Sequence, residues 1–232
     1  MKQKYLSIAL LATLLITFFS STCVAAKKEI DPATDPDLIS IREITQYIDS
    51  IYTLHYGMPE EEFLANFTNA PGWYDYSTGK PVDSSIASRL VFDNMPSVSY
   101  LISRKRDRVY EDLNIGFNNN ILEIPQIALT TNDSTIYTKS LKYAVNSYTS
   151  RLGNPELKYL KTRGDDIPVY TYKWYTEKQL LYMLATNAPQ NIDVSPHKCQ
   201  YTITIQIIDR ENPNWELYET LEKNANHYRH IR

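Results

Sequence analysis

The chain has 232 residues, with 24 Lys and Arg against 27 Asp and Glu, and so a net charge of -3. That balance excludes the broad basic surface that nucleic-acid binding needs. Cys23 and Cys199 are the only cysteines, and Cys23 falls in an N-terminal leader, so no internal disulfide is expected once the leader is gone.

Lys2 and Lys4 precede an uncharged apolar run over residues 5–19, and Val24-Ala25-Ala26 supplies small residues for cleavage. Residues 1–26 therefore read as a secretory signal peptide, with the mature chain starting near Lys27 and bound for the periplasm or the extracellular space. No second apolar run of about 20 residues follows, so no transmembrane span is expected in the mature chain. Ser20-Ser21-Thr22 before Cys23 is a poor lipidation signal, so lipid anchoring through Cys23 is not expected.

Ile41, Ile44, Ile48, Ile51 and His55 recur at helical spacing behind Pro36 and ahead of Gly57, which predicts an amphipathic helix of about five turns. A shorter helix follows, with Pro59 at its start, Glu60, Glu61 and Glu62 in its first turn, and Phe63, Leu64 and Phe67 on its apolar side. The acidic triplet is explained by the helix dipole and not by a metal. A turn-rich connector is expected over residues 70–97, with room for a short strand at 89–92. Runs at 99–103, 109–117 and 121–129 predict a three-stranded meander, and Pro125 marks the third as an edge or as broken there.

The outline then repeats. Leu141, Ala144, Val145, Tyr148 and Leu152 share a helical face that ends at Gly153, and strands are expected at 169–175, 179–186 and 198–208. In the last, Cys199, Tyr201, Ile203, Ile205 and Ile207 alternate with polar residues, placing an apolar row on one face. A helix is expected over residues 215–229, with Trp215, Tyr218, Leu221, Ala225 and Tyr228 on one side. The expected fold class is α+β, an antiparallel sheet or sheets with helices packed on one face. Residues 27–130 and 131–232 are expected to form two related helix-plus-meander halves.

Gly57-Met58-Pro59-Glu60-Glu61-Glu62-Phe63 resembles the Gly-Met-Ser/Thr-x-x-Glu-Val turn of outer-membrane assembly lipoproteins of the SmpA/BamE type, with Pro59 in place of the family's hydroxyl residue. Gly153-Asn154-Pro155, Tyr172-Lys173-Trp174 and the strand at 201–207 look like the layout of many uncharacterised exported bacterial proteins. The resemblance covers residues 40–209. The β-lactamase inhibitor protein is a tandem version of that architecture, so the resemblance implies protein binding and not catalysis.

No nucleophile elbow, zinc-binding His-Glu-x-x-His, phosphate loop or dinucleotide fingerprint is present, and no cofactor is implied. His197 and Cys199, two apart on a predicted strand, offer a thiol and a base on one face, against which stands core packing of the thiol. His227 and His230 share a helical face, but Lys223 lies one turn before and no third ligand supports a metal. Arg104, Lys105, Arg106 and Arg108 suit either an anion contact or a solvated hairpin turn. The 19 tyrosines are the most unusual feature of the composition. Tyr170, Tyr172 and Trp174 share one strand face, which reads as a recognition face or as core. The expectation is an exported, non-enzymatic binding protein of the cell envelope with a protein or envelope-polymer partner. The alternatives are an envelope hydrolase with a non-standard site and an assembly-type lipoprotein.

Overall fold

The computed structural model describes residues 30–83, 86, 89–90, 97–161, 168–187, 197–213 and 215–216. Residues 1–29, with Cys23, and residues 217–232, which hold most of the helix expected over 215–229, lie outside the described residues; Trp215 and Glu216 are helical. Residues 30–35 belong to an N-terminal unit separate from Pro36–Arg232 and turn on Asp31, whose Oδ1 accepts from the Ala33 amide at 2.9 Å.

The remainder is α+β. A single 3-10 turn, Pro36–Leu38, runs into helix α1, Ile39–Ile44; α2 is Glu60–Phe67 and α3 is Ser134–Leu152. The strands are β1 (Trp73–Asp75), β2 (Arg89–Leu90), β3 (Ser97–Arg106), β4 (Val109–Asn118), β5 (Ile121–Thr131), β6 (Glu156–Lys161), β7 (Pro168–Tyr175), β8 (Gln179–Asn187) and β9 (Tyr201–Asp209). They form one antiparallel sheet in the order β1-β3-β4-β5-β9-β8-β7-β6, with β2 also on the outer side of β3. Two meanders, β3-β4-β5 and β6-β7-β8-β9, meet where β5 pairs with β9 from Gln126↔Gln206 to Thr131↔Tyr201. A single ladder therefore carries the sheet across what the sequence reads as a boundary near residue 130.

Alternation along the strands builds the core. Tyr100, Ile102, Leu113, Ile115, Phe117, Ile127, Leu129, Ile203, Ile205 and Met183 are buried, and the registers place them in neighbouring rows. Phe63 of α2 packs on Tyr100 and Phe117, with both centroid distances 5.5 Å. From α3, Tyr148 meets Trp174 at 5.4 Å and Tyr137 stacks on Tyr201 at 4.9 Å. Among the described residues, no helix is long and apolar enough to cross a membrane.

Several boundaries depart from the sequence reading. The first helix stops at Ile44, far short of His55, although Ile51 remains buried. Two groups intercept its backbone. The Thr45 hydroxyl donates to the Ile41 carbonyl at 2.8 Å, and Arg151 of α3 donates to the carbonyls of Thr45 and Gln46, acceptors a longer helix would have used. Arg104, Lys105 and Arg106 lie in β3 and not in the turn, which is reduced to Asp107 and Arg108. Pro125 sits in an interior strand, tolerated because the β5–β9 ladder starts one residue later, at Gln126. Lys198 has φ +55, so the last strand begins at Tyr201 and Cys199 precedes it. β1 and β6 are additional strands that the residue pattern marks only weakly. The start of α3 moves upstream to an Asp133 cap, which accepts from the Thr135 and Ile136 amides.

One ionic cluster lies inside the helix-bearing part of the core. Glu111 of β4 is fully buried, directly opposite Arg104 of β3, and their side chains meet at 2.5 Å. Arg106 approaches the other carboxylate oxygen at 3.3 Å, and the Tyr52 hydroxyl donates to Glu111. Arg104 also lies over the rings of Trp73, at 4.6 Å, and Tyr52, at 5.4 Å. Glu43 of α1 accepts from both arginines. Partial burial opposes its ionisation, but the hydrogen bonds and charges of Arg106 and Arg104 hold the Glu43 carboxyl below its ordinary value.

Replacing Arg104 by Met is expected to destabilise the fold by about 3–5 kcal/mol, because it strands a buried carboxylate, and the Arg104→Met, Glu111→Leu double variant is expected to recover part of that loss. Urea denaturation of the three proteins checks it; equal or additive losses would contradict the pairing.

Alkaline titration tests the buried tyrosines. Burial pushes the Tyr137 hydroxyl up to about 12, and burial drives Tyr52, Tyr100 and Tyr148 higher still. A raised folded value means this stabilisation is complete below the unfolded value near 10 and is lost as pH climbs towards the folded values. Tyrosinate absorbance should therefore rise in two phases, the later coinciding with loss of far-ultraviolet circular dichroism. A single phase at the ordinary value would contradict these environments.

Candidate recognition surface

β6 ends the sheet, and its residues alternate between two faces. Leu157 and Tyr159 pair with Tyr172 and Tyr170 of β7, while Glu156 and Lys158 pair with Lys173 and Thr171 on the opposite face. The first group is left open: Leu157 is 58% exposed, Tyr159 50% and Tyr170 39%. The Tyr159 and Tyr170 rings touch, with centroids 5.1 Å apart and planes inclined by 52°. Tyr172 is half-buried beside them, its hydroxyl raised by burial and by Tyr170.

The predicted row of Tyr170, Tyr172 and Trp174 is thus graded along β7 from solvent to core. Trp174 is 1% exposed, packs on Tyr148 of α3, and donates its indole N–H to the Gly153 carbonyl at 3.1 Å. It presents no surface to a partner. The open surface instead takes in Leu157 and Tyr159, which the sequence reading left unassigned; the signal was the alternation Leu157, Tyr159 against Glu156, Lys158.

The basic run is divided by strand alternation. Arg104 and Arg106 point into the ionic cluster, whereas Lys105 lies over the Tyr110 ring at 5.4 Å on the other face. Arg108 pairs with Asp37, Asp107 and Asp133. Lys105 and Arg108 line a cleft of about 590 Å³ together with Asp107 and Asp133, so its positive charge is matched by carboxylates.

On the same face as Lys105, Asp112 of β4 is buried, and its Oδ1 accepts from Ser103 Oγ at 2.5 Å and from His197 Nε2 at 2.9 Å. A carboxylate offers only acceptors, so this ring nitrogen carries the proton. The His197 ring stacks on Tyr110, at 3.9 Å and 14°, and meets Tyr76 edge-on at 5.4 Å. Burial first, then the charges of Asp112 and Tyr110, push the nearby Tyr74 hydroxyl up. The Ser-Asp-His grouping differs from a hydrolytic triad in two respects: Ser103 donates to the carboxylate and not to the imidazole, and it is fully buried. Its chemistry is that of a clamp holding residue 197 to the sheet.

The His197–Cys199 pairing does not form through side chains. His197 turns to Asp112, and the backbone reversal at Lys198 removes the shared strand face on which the pairing depended. Cys199 is 2% exposed, and burial, with the Asp112 charge, pushes its thiol up. His227 and His230 lie outside the described residues. Among the described residues, no three His, Cys, Asp or Glu side chains are grouped to hold a metal.

A thiol reagent is expected to label Cys199 only as fast as the protein unfolds, since both burial and a protonated thiol oppose attack. Mass spectrometry after timed labelling measures this, and rapid modification of the native protein would contradict it.

Comparison of the chain with protein-family models, with curated proteins and with solved structures finds no match. The surface therefore stands on its own chemistry: Leu157 and Tyr159 of the terminal strand and Tyr170 of its neighbour, all exposed.

Proposed function

We propose that this chain is an exported, non-enzymatic binding protein of the cell envelope, and that the open face of β6 and β7 captures a protein or envelope-polymer partner. The reading of export draws on Lys2, Lys4, the apolar run and Val24-Ala25-Ala26. The reading of the fold is of two related helix-plus-meander halves with helices on one face of a shared sheet, of the kind the SmpA/BamE resemblance implies. The single observation that carries the binding role is the contact of Tyr159 and Tyr170, both well exposed, beside Leu157 on the last strand of the sheet. Tyrosine brings a large amphipathic contact area at low entropic cost, and grouped aromatics at a surface are favoured as binding hot spots.

The Leu157→Ser, Tyr159→Ser, Tyr170→Ser triple variant is expected to melt close to the unaltered protein and to lose a partner that the tagged chain retains from its native envelope, with the interaction reconstituted from purified components. Trp174→Ala, by contrast, should destabilise the fold by about 3–5 kcal/mol. A triple variant that retains the partner, or one that does not fold, would remove the support for this surface.

A further inference from the structure

We propose that the outer edge of β6 is a self-association surface, on which a second copy of this chain docks its own β6 antiparallel so that the sheet continues from one protomer into its partner. The inference rests on the reading of β6 and β7 as the recognition surface and names the occupant of its edge.

β6 is hydrogen-bonded to β7 on one side and is the terminal strand on the other, so alternate residues of its six turn their backbone donors and acceptors outward. Two copies joined about a two-fold axis perpendicular to the sheet keep each face continuous, which allows only registers that oppose residues of the same face. Charge separates these registers. Centring on Leu157 opposes Leu157 to its own copy and sets Glu156 against Lys158 of the partner subunit twice over, with Tyr159 facing the partner's Pro155. Centring on Lys158 sets that cation against itself, and centring on Tyr159 loses both ion pairs.

The side chains that would make the cross-pairs are already held near the edge. Lys158 Nζ lies 2.9 Å from Glu156 Oε1, and both side chains are 45% exposed. An exposed pair of this kind contributes little to the protomer, so reorienting it across the interface leaves the fold intact. On the other face, Leu157 brings Tyr159 and Tyr170 with it, giving the joined edges a continuous apolar strip. A six-residue edge is small beside a stable interface of about 1,600 Å², so the association is concentration-dependent.

Analytical ultracentrifugation of the chain from about 1 μM to about 1 mM is expected to show the mass rising towards twice that of the monomer. Lys158→Glu and Glu156→Lys should each weaken association at least about tenfold, and the double exchange should restore it, while thermal melting of all three stays near that of the unaltered chain. A monomer at every concentration, or a dimer indifferent to the single exchanges, would overturn the proposal, and failure of the double exchange to restore it would overturn the register. The two readings separate cleanly. A chain that stays monomeric but loses another captured partner in the Leu157, Tyr159, Tyr170 variant keeps the recognition surface and refutes self-pairing. A chain that dimerises through β6 and retains nothing else assigns the surface to its own copy.

Discussion

A carboxylate with no access to water sets the terms for the first half of the molecule. Glu111 is on the core-facing row of β4, where an unpaired charge would cost far more than any single packing contact returns. Arg104 and Arg106 of β3 neutralise it and the Tyr52 hydroxyl, from the segment after α1, donates to it, while Glu43 of α1 balances the second arginine charge and the Trp73 ring of β1 is a platform for Arg104. Tyr52 adopts φ +56 at this point. The arrangement is directional where hydrophobic packing is not, and so fixes how α1 and β1 sit on the sheet.

Tyrosine carries a second kind of directional contact through the fold. The Tyr100 hydroxyl of β3 donates to Glu60 in the first turn of α2, Tyr56 donates to the Glu211 carbonyl, and Tyr52 serves Glu111. Each ring covers apolar surface while its hydroxyl ties off an acceptor elsewhere in the chain. Among the described residues most tyrosine rings are buried or half-buried; Tyr47, Tyr159, Tyr170 and Tyr175 stay well exposed, and of these Tyr159 and Tyr170 are in contact across β6 and β7.

Features written in neighbouring residues were legible in the sequence, and features made by distant ones were not. The alternation of Tyr201, Ile203, Ile205 and Ile207 marks β9, and Pro59 with three glutamates marks α2, because both signals are local. The length of α1 is not local, because Ile48 and Ile51 keep the helical period while Arg151, about a hundred residues further on, takes the carbonyls that would continue it. The Asp112 and His197 contact spans a similar distance. For the candidate surface, alternation placed Tyr170, Tyr172 and Trp174 on one face, yet only the position of Tyr148 and the end of α3 decide that Trp174 is covered and Tyr170 is not. The six residues of β6 carry two lysines and a glutamate, a composition suited to an edge and weak as a strand signal.

The β5–β9 ladder has a consequence for the order of assembly. The last strand of the second meander is a middle strand of the finished sheet, flanked by β5 and β8. Until residues 201–209 are in place, the two meanders are separate and each carries an unsatisfied edge rich in isoleucine, leucine or methionine. Closing them brings Thr131 against Tyr201 across the whole of α3 and three strands, a non-local step whose entropy must be met before its contacts form. A chain interrupted between β8 and β9 thus has two sticky borders where the complete protein has a continuous sheet, so quality control in the cell would meet a sheet either finished and closed or open in the middle.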